Sequence, residues 1–346
     1  MAEKEKLTET SLIKKIERLS VETLKFNKSL IIESIGDDCA VFKDKNPVLV
    51  SSDGITENVH FDFGLYDFYE IGKKSLLVNL SDIAAMGGVP RMFILSLFIP
   101  ARVKERDIGQ VMAGIMETAK KYRVSLVGGN ISKSFEFTIS ITIIGDYKNN
   151  NVIKRYNSKA GDRIYVSGEL GNAWMAYYLR NNNGSGYKNN PRIKYSDKKL
   201  IESFINRFKL PKPRIELGRK LSGKKLANSL TDISDGLSKD VFNILGAGSS
   251  GEIRLEDIPV NENLKYIADI LNIKNYADKA VSFGEDYELL WSAEPGKEEA
   301  LIKLSESIGI KIKEIGRVTN ANGPSRVIFL KNGEPRRPEN FTFKHL

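Results

Sequence analysis

Aspartates recur in this chain where apolar segments stop. The motifs Gly36-Asp37-Asp38, Ser51-Ser52-Asp53, Asn79-Leu80-Ser81-Asp82 and Asp232-Ile233-Ser234-Asp235-Gly236 each set a carboxylate beside Gly or Ser. Asp38, Asp53, Asp82, Asp232 and Asp235 are expected where strands end or helices turn, not along solvated helix faces. Carboxylates gathered in one place repel one another unless cations neutralise them. Mg²⁺ is the usual cation for that role when substrate phosphates supply the remaining ligands. The pattern points to an Mg²⁺-dependent enzyme acting on phosphates.

The segments between these motifs alternate in character. Pro47 to Ser52 reads as a short buried strand delivering Asp53 at its end, and 68–86 as a helix stopped by Gly87-Gly88 and Pro90. A strand (92–99), a helix (104–122), a strand running into Gly128-Gly129-Asn130 and a long strand (135–147) complete a mixed α/β half. After the polar break Lys148-Asn149-Asn150-Asn151 a second half repeats the style. Strands are expected near 163–168, 228–232, 252–257, 287–293, 312–318 and 326–330, with helices between them. The fold class is therefore α/β (α+β) in two domains, 1–150 and 151–346. Asn181 through Asn190 reads as an exposed, mobile loop.

At 346 residues, 41 % hydrophobic and 28 % charged, the chain has the composition of an ordinary globular protein with room for two cores. No apolar run approaches a membrane span, and the charged start Met1-Ala2-Glu3-Lys4-Glu5-Lys6 is not a secretory signal. Cys39 is the only cysteine, so no intrachain disulfide is possible and a cytoplasmic location is expected. The net charge of +9 is concentrated: residues 181–225 hold thirteen Lys/Arg against three Asp/Glu. That stretch lacks aromatics placed to stack on bases, and no nucleic-acid motif accompanies it, so it reads as a solvated basic surface that also attracts phosphates.

Two Gly-rich stretches imitate nucleotide motifs. Gly218 to Lys225 nearly matches a phosphate loop but ends in Lys where a Mg²⁺-holding hydroxyl is needed, and a helix precedes it. Gly246-Ala247-Gly248-Ser249-Ser250-Gly251 has the letters of a dinucleotide fingerprint, but it follows a helix and precedes a strand, the reverse of the required order. Any nucleotide here is bound without either motif.

Taken one by one, the Asp motifs have ordinary explanations. An Asp-Asp pair is usually a turn, Ser51-Ser52-Asp53 can cap a strand end, and Ser234 or Asp235 is a natural helix N-cap. Yet Asp232 and Asp235 flank one helix start, where backbone N–H groups can meet phosphate oxygens. Gly128-Gly129-Asn130 lets a phosphate approach the backbone, and Gly284-Glu285-Asp286-Tyr287-Glu288 sets acids just before an apolar strand. His60 is either a core or surface histidine or a substrate contact.

As a set these motifs are specific. With Val59-His60-Phe61, Val78 through Gly87 and Glu288-Leu289 they occur in the order of the thiamine-monophosphate kinases, which this chain resembles from about residue 30 onward. Aminoimidazole-ribotide synthetase, selenophosphate synthetase and a hydrogenase maturation protein share the Asp pattern more loosely. The resemblance implies an aminoimidazole-ribotide-synthetase-like two-domain fold and a homodimer whose N-terminal sheets meet, with ATP near the interface. It implies that Asp38, Ser51, Ser52, Asp53, Asp82, Asn130, Asp232 and Asp235 surround several Mg²⁺ ions, and that Gly129, Asn130, Arg155 and Ser234 contact ATP. His60, Glu285 and a C-terminal aromatic, Phe343 before Phe341, would hold thiamine monophosphate, with Glu285 at the pyrimidine or thiazolium end. The implied reaction needs no covalent nucleophile and no general base, because the acceptor phosphate is already ionised; positioning and charge neutralisation suffice.

Three departures stand out. Ser51 through Asn58 differs from the usual Ser-Thr-Asp loop, Asn130 stands where some members carry Asp, and the tail lacks the common Gly-aromatic-x-His-Phe ending. The alternatives are another ATP-using enzyme of the superfamily or a non-catalytic nucleotide-binding scaffold. The first lacks its reactive cysteines here, and the second predicts loss of an Asp set that is intact.

Overall fold

The computed structural model describes residues 31–33, 37, 40–43, 47–147, 151–181 and 192–336. Asp38, Phe341, Phe343 and nearly all of the Asn-rich loop lie outside the described residues.

The N-terminal half is a six-stranded sheet in the order β1-β2-β3-β6-β4-β5. Its strands are β1 (Ile31–Glu33), β2 (Ala40–Lys43), β3 (Pro47–Thr56), β4 (Val89–Ile99), β5 (Ser125–Lys133) and β6 (Thr138–Asp146). All neighbours run antiparallel except β4 and β5. One face carries the buried residues Leu49, Phe93, Leu95, Ile139, Ile141 and Ile143 and packs on helix α1 (Phe68–Ala85), which α2 (Glu105–Tyr122) backs. Helix α1 starts at a capping box: Asp67 accepts the Glu70 amide and Glu70 accepts the Asp67 amide. It has no solvent side over its middle turns, where Lys74 through Ser81 are all buried.

The C-terminal half is a seven-stranded mixed sheet in the order β13-β12-β9-β11-β7-β10-β8. Its strands are β7 (Arg163–Ser167), β8 (Ser229–Asp232), β9 (Ser249–Arg254), β10 (Leu289–Ala293), β11 (Ile312–Asn320), β12 (Val327–Lys331) and β13 (Glu334–Pro335). Its helices are α3 (Asn172–Asn181), α4 (Tyr195–Lys209), α5 (Ile215–Gly223), α6 (Leu237–Ile244), α7 (Glu262–Ile270), α8 (Tyr276–Ser282) and α9 (Glu298–Ile308). The halves share part of their core, while a second apolar cluster, from Ile164 to Phe329, lies within the C-terminal half alone. The shared cluster runs from the N-terminal sheet through α1 to Trp174, Phe204, Phe208 and Phe283. No helix among the described residues is long and apolar enough to cross a membrane.

Several expectations change. Asp53 does not end its strand: β3 continues to Thr56. The strand entering Gly128-Gly129-Asn130 does not stop there either, because parallel pairing with β4 carries it to Lys133. Strands β1 and β2 and helix α8, all short, are additions to the sequence reading. Both imitation motifs are structural. Gly218 lies inside α5, where an added Cβ would meet the Ala84 carbonyl at 2.1 Å, so it serves helix packing. Gly248 is a left-handed residue (φ 73°) between α6 and β9.

Candidate active site

Helix α1 assembles the site because three of its polar side chains reach in different directions. Asn79 accepts the Asp53 amide at 3.1 Å and donates to the Ser75 carbonyl at 2.9 Å, clipping the helix to β3. Asp82 accepts the Ser51 hydroxyl at 2.6 Å. The neighbouring Ser81 donates to Asp232 at 2.6 Å, at the end of β8 in the other half of the chain. Asp53 and Asp82 thus meet Asp232 across the helix, and Asp235 follows one turn beyond.

The buried carboxylates repel one another, and cations meet them at the edge, where Lys239 pairs with Asp235 and Arg155 acts on Asp232. Burial pushes the Asp82 carboxyl well above the usual range, the negative charges of Asp232 and Asp53 add to this, and the Ser51 bond opposes it. Burial also raises Asp232, against the Ser81 bond and the Arg155 charge. The donors are hard oxygens, the kind Mg²⁺ prefers, and a divalent cation would relieve the repulsion. Among the described residues no three His, Cys, Asp or Glu side chains form a ready metal cage. Mg²⁺ does not need one, since it binds through one or two carboxylates, water and substrate phosphate.

The loop after β8 is held from inside. Helix α6 is capped by Gly236, not by Ser234 or Asp235 as the sequence suggested. The buried Asp240 performs the capping, accepting the amides of Asp235 (2.9 Å) and Gly236 (3.0 Å). Burial and the charges of Asp235 and Asp232 push the Asp240 carboxyl well up. The loop before β10 nests against it: Glu285 and Tyr287 donate their amides to the Ser234 and Ile233 carbonyls at 2.9 and 3.0 Å. Only glycine fits this nesting. A Cβ on Gly284 would lie 2.0 Å from the Ser234 carbonyl oxygen, and Gly236 has φ 109° with the Ser282 carbonyl 2.5 Å away.

Beside the carboxylates lies a pocket lined by His60, Asp62, Tyr66, Tyr177, Phe208 and Glu285, among others. His60 and Glu285, far apart in sequence, therefore share one cavity. His60 Nδ1 accepts the Thr56 amide at 3.1 Å, which puts the proton of the neutral ring on Nε2. Glu285 is not a free counter-ion. Its carboxylate is 2.6 Å from the ammonium of Lys74, which is fully buried, and 3.3 Å from the Tyr287 hydroxyl. Lys74 also donates to Tyr66 (3.0 Å) and to the His60 carbonyl (3.2 Å). Burial pulls the Lys74 ammonium down, but the charges and hydrogen bonds of Glu285 and Tyr66 together outweigh it and the net shift is upward. Lys74 escaped the sequence reading; the signal for it was a lysine amid the buried apolar positions of a helix. Arg180, which pairs with Asp62 at the pocket wall, carried no such signal.

Arg155 lies at the edge of the Asp cluster. Its amide donates to Asp37 at 3.0 Å and its guanidinium is 3.9 Å away, while burial pushes Asp37 up to about 6. Two expected residues point elsewhere. Ser52 alternates with Ser51 and Asp53, so its side chain sits on the outer sheet face, 2.9 Å from Thr142. Asn130 pairs with Ser96 on the edge strand β5 and is exposed, three strands from Asp53. Within one chain neither side chain joins the cluster.

The sequence matches the AIR synthase related protein N-terminal domain over residues 36–147 and the corresponding C-terminal domain over 159–328. It is 31 % identical over 303 residues to the thiamine-monophosphate kinase of Bacillus subtilis (strain 168), covering 86 % of this chain and 89 % of that protein. The chain belongs to the thiamine-monophosphate kinase family. Its fold superposes on AaThiL complexed with AMPPCP and TMP with a TM-score of 0.79 and 28 % identity, covering 100 % of this chain and 99 % of that one. Thiamine-monophosphate kinase from Stenotrophomonas maltophilia K279a gives a TM-score of 0.72 at 29 % identity, over 93 % and 96 % of the two chains. The family's mixed two-domain fold is the one described above.

Proposed function

We propose that this chain transfers the γ-phosphoryl group of ATP in line to thiamine monophosphate, giving ADP and thiamine diphosphate. The observation that carries this reading is one helix joining two features: the Asp53/Asp82/Asp232 cluster and, through Lys74, the pocket that holds His60 and Glu285. Bound Mg²⁺ would neutralise the facing phosphates. Asp53, Asp82, Asp232 and Asp235, with Asp38, are the residues that would hold it, and Ser51 orients Asp82. Arg155 and Ser234 would face the nucleotide phosphates, on a loop that Asp240 holds through the Asp235 and Gly236 amides. In the pocket Glu285, its charge met by Lys74, accepts hydrogen bonds from the aminopyrimidine rather than pairing with the thiazolium. Tyr177 and Phe283, 5.0 Å apart between ring centroids, offer π faces to that cation. His60 contributes its Nε2 proton toward the phosphate end. With the acceptor already ionised, the protein's part is to position and to exclude water.

The same reading includes a homodimer. Met92 and Ile94 are 38 % and 39 % exposed on the sheet face opposite α1. Two copies meeting there cover this apolar surface and bring Ser52, Gly129 and Asn130 to an interface where ATP can reach them. The test is an ATP- and Mg²⁺-dependent assay with thiamine monophosphate and thiamine side by side. Thiamine diphosphate formed only from the monophosphate is expected. ATP consumption with neither acceptor phosphorylated would move the chain to another activity of the superfamily.

A further inference from the structure

The basic stretch 181–225 is not spread evenly over solvent. Part of it converges on an open pocket between α4, the link Leu210–Arg214 and the turn after α9. Arg207, Lys212, Arg214 and Lys311 line this pocket. It shares no lining residue with the pocket of His60 and Glu285, although the two are adjacent on α4: Arg207 turns to one and Phe208 to the other.

Its floor is built. Glu288 is wholly buried, donates nothing, and accepts Arg214 Nε at 2.6 Å together with the Nη2 groups of Arg214 and Arg207. Ser167 donates to the same carboxylate at 2.6 Å. Gly168 makes room for it, since a Cβ there would strike the Glu288 carboxyl at 2.3 Å. One acid thus fixes two guanidinium groups, each with N–H donors left over, and offsets only one of their charges. The remaining acid, Glu169, is 3.7 Å from Lys311. Among the described residues Lys212 makes no ion pair, and its ammonium is pushed down, first by the Arg207 charge, then by burial and by Arg214 and Lys121. Four cations against two acids leave a net positive charge over pre-set planar donors. Such a charge excess is relieved by an anion able to accept several hydrogen bonds at once.

We propose that this pocket is a second anion site, outside the reacting centre, that takes a phosphate group. The group arrives either as inorganic phosphate or on a small phosphate monoester; the chemistry of recognition is the same. The site does not depend on the kinase reading, because none of its residues belongs to the Asp cluster.

The experiment titrates the full chain, free of nucleotide and Mg²⁺, with inorganic phosphate, with glycerol phosphate and with chloride at matched ionic strength, by calorimetry. Saturable phosphate binding that chloride does not reproduce is expected, and Lys212→Ala should weaken it at least ~10-fold, the scale of one lost charge-assisted contact. Lys212 is exposed, so the variant should fold and keep its activity on ATP and thiamine monophosphate unchanged. Tighter binding of glycerol phosphate than of inorganic phosphate assigns the site to esters, and the reverse assigns it to the free ion. Absence of saturable binding overturns the proposal, as does Lys212→Ala binding phosphate like the wild type, which would place the anion elsewhere. Lys311→Ala gives a second reading of the same wall and should also weaken binding.

Discussion

Lys74→Met tests whether the acid of the substrate pocket is held by a buried counter-charge. The Lys74 side chain is 0 % exposed and Glu285 11 %, with 2.6 Å between ammonium and carboxylate. At an effective dielectric of about 20 that separation corresponds to roughly 6 kcal/mol of gross attraction. Taking each ion out of water costs several kcal/mol, so the intact pair contributes little net stability. Removing one partner is a different matter. The lone charge stays buried among Tyr66, Phe208 and Tyr287, and the loss is about 3–5 kcal/mol. Lys74→Met and Glu285→Gln should each show that loss in urea unfolding, and the double variant should regain at least ~2 kcal/mol of the summed cost. Fluorescence from Trp174 and Trp291, both fully buried, and far-UV circular dichroism give two probes of whether the chain unfolds in one step. Both single variants should also raise the KM for thiamine monophosphate more than that for ATP, because Glu285 lines the pocket, Lys74 holds it there, and neither belongs to the Asp cluster. Strictly additive losses, or single variants within about 0.5 kcal/mol of wild type, would refute the reasoning.

Asp53→Asn, Asp82→Asn and Asp235→Asn should each lower turnover by at least ~10²-fold while the protein still folds, since each sheds carboxylate repulsion; a fully active Asp82→Asn enzyme would remove Asp82 from the metal set. Asp240→Ala leaves the Asp235 and Gly236 amides without their acceptor and should cost about 1–3 kcal/mol along with turnover, whereas Asp240→Asn keeps one acceptor oxygen and should be milder; thermal melts that rank the two equally would contradict this. Asp286 is pushed up to about 7 by burial, only partly offset by the Gly171 and Ala173 amides. Its folded value lies above the ordinary 3.8, so the native state binds the proton more tightly. Stability contributed by the protonated form is full below about pH 4 and is lost as pH rises towards about 7, at up to ~1.4 kcal/mol per unit. Denaturant titrations across that window should show a shallower slope in Asp286→Asn; an unchanged slope would exclude Asp286 as its source.

Elements with strong periodicity and end signals were legible in the sequence. Helix α1 falls within a residue of its expected bounds because Asp67, Glu70 and Gly87 mark both ends. Strands β1 and β2 and helix α8 have three, four and seven residues, too few for a period to emerge. Gly128-Gly129-Asn130 misled because glycine weakens an isolated strand, yet here the ladder to β4 is decided by partners far away in sequence. The carboxylates were legible because Asp beside Gly or Ser is unusual within apolar segments. Lys74 was not, because its partner lies 211 positions away, and neither was the Glu288 floor under Arg207 and Arg214, whose partners are 81 and 74 positions away. Within one chain Ser52 and Asn130 lie apart from the cluster for geometric reasons: alternation along β3 turns Ser52 to the opposite face from Ser51 and Asp53, and Asn130 sits on the edge strand β5.

The position of α1 limits how this molecule can move. Many phosphotransferases work like jaws, with two lobes rotating about a hinge to shut out water. Here the same helical cylinder is wedged into both halves, through Ser51 and Asn79 on one side and Asp232 and the Gly218 contact on the other. Swinging one half would shear a shared apolar interior, and large hydrophobic interfaces resist such motion. The two family domains are thus tied to each other through that one helix. A closing stroke of one half on the other would have to part those contacts along α1 before it could begin.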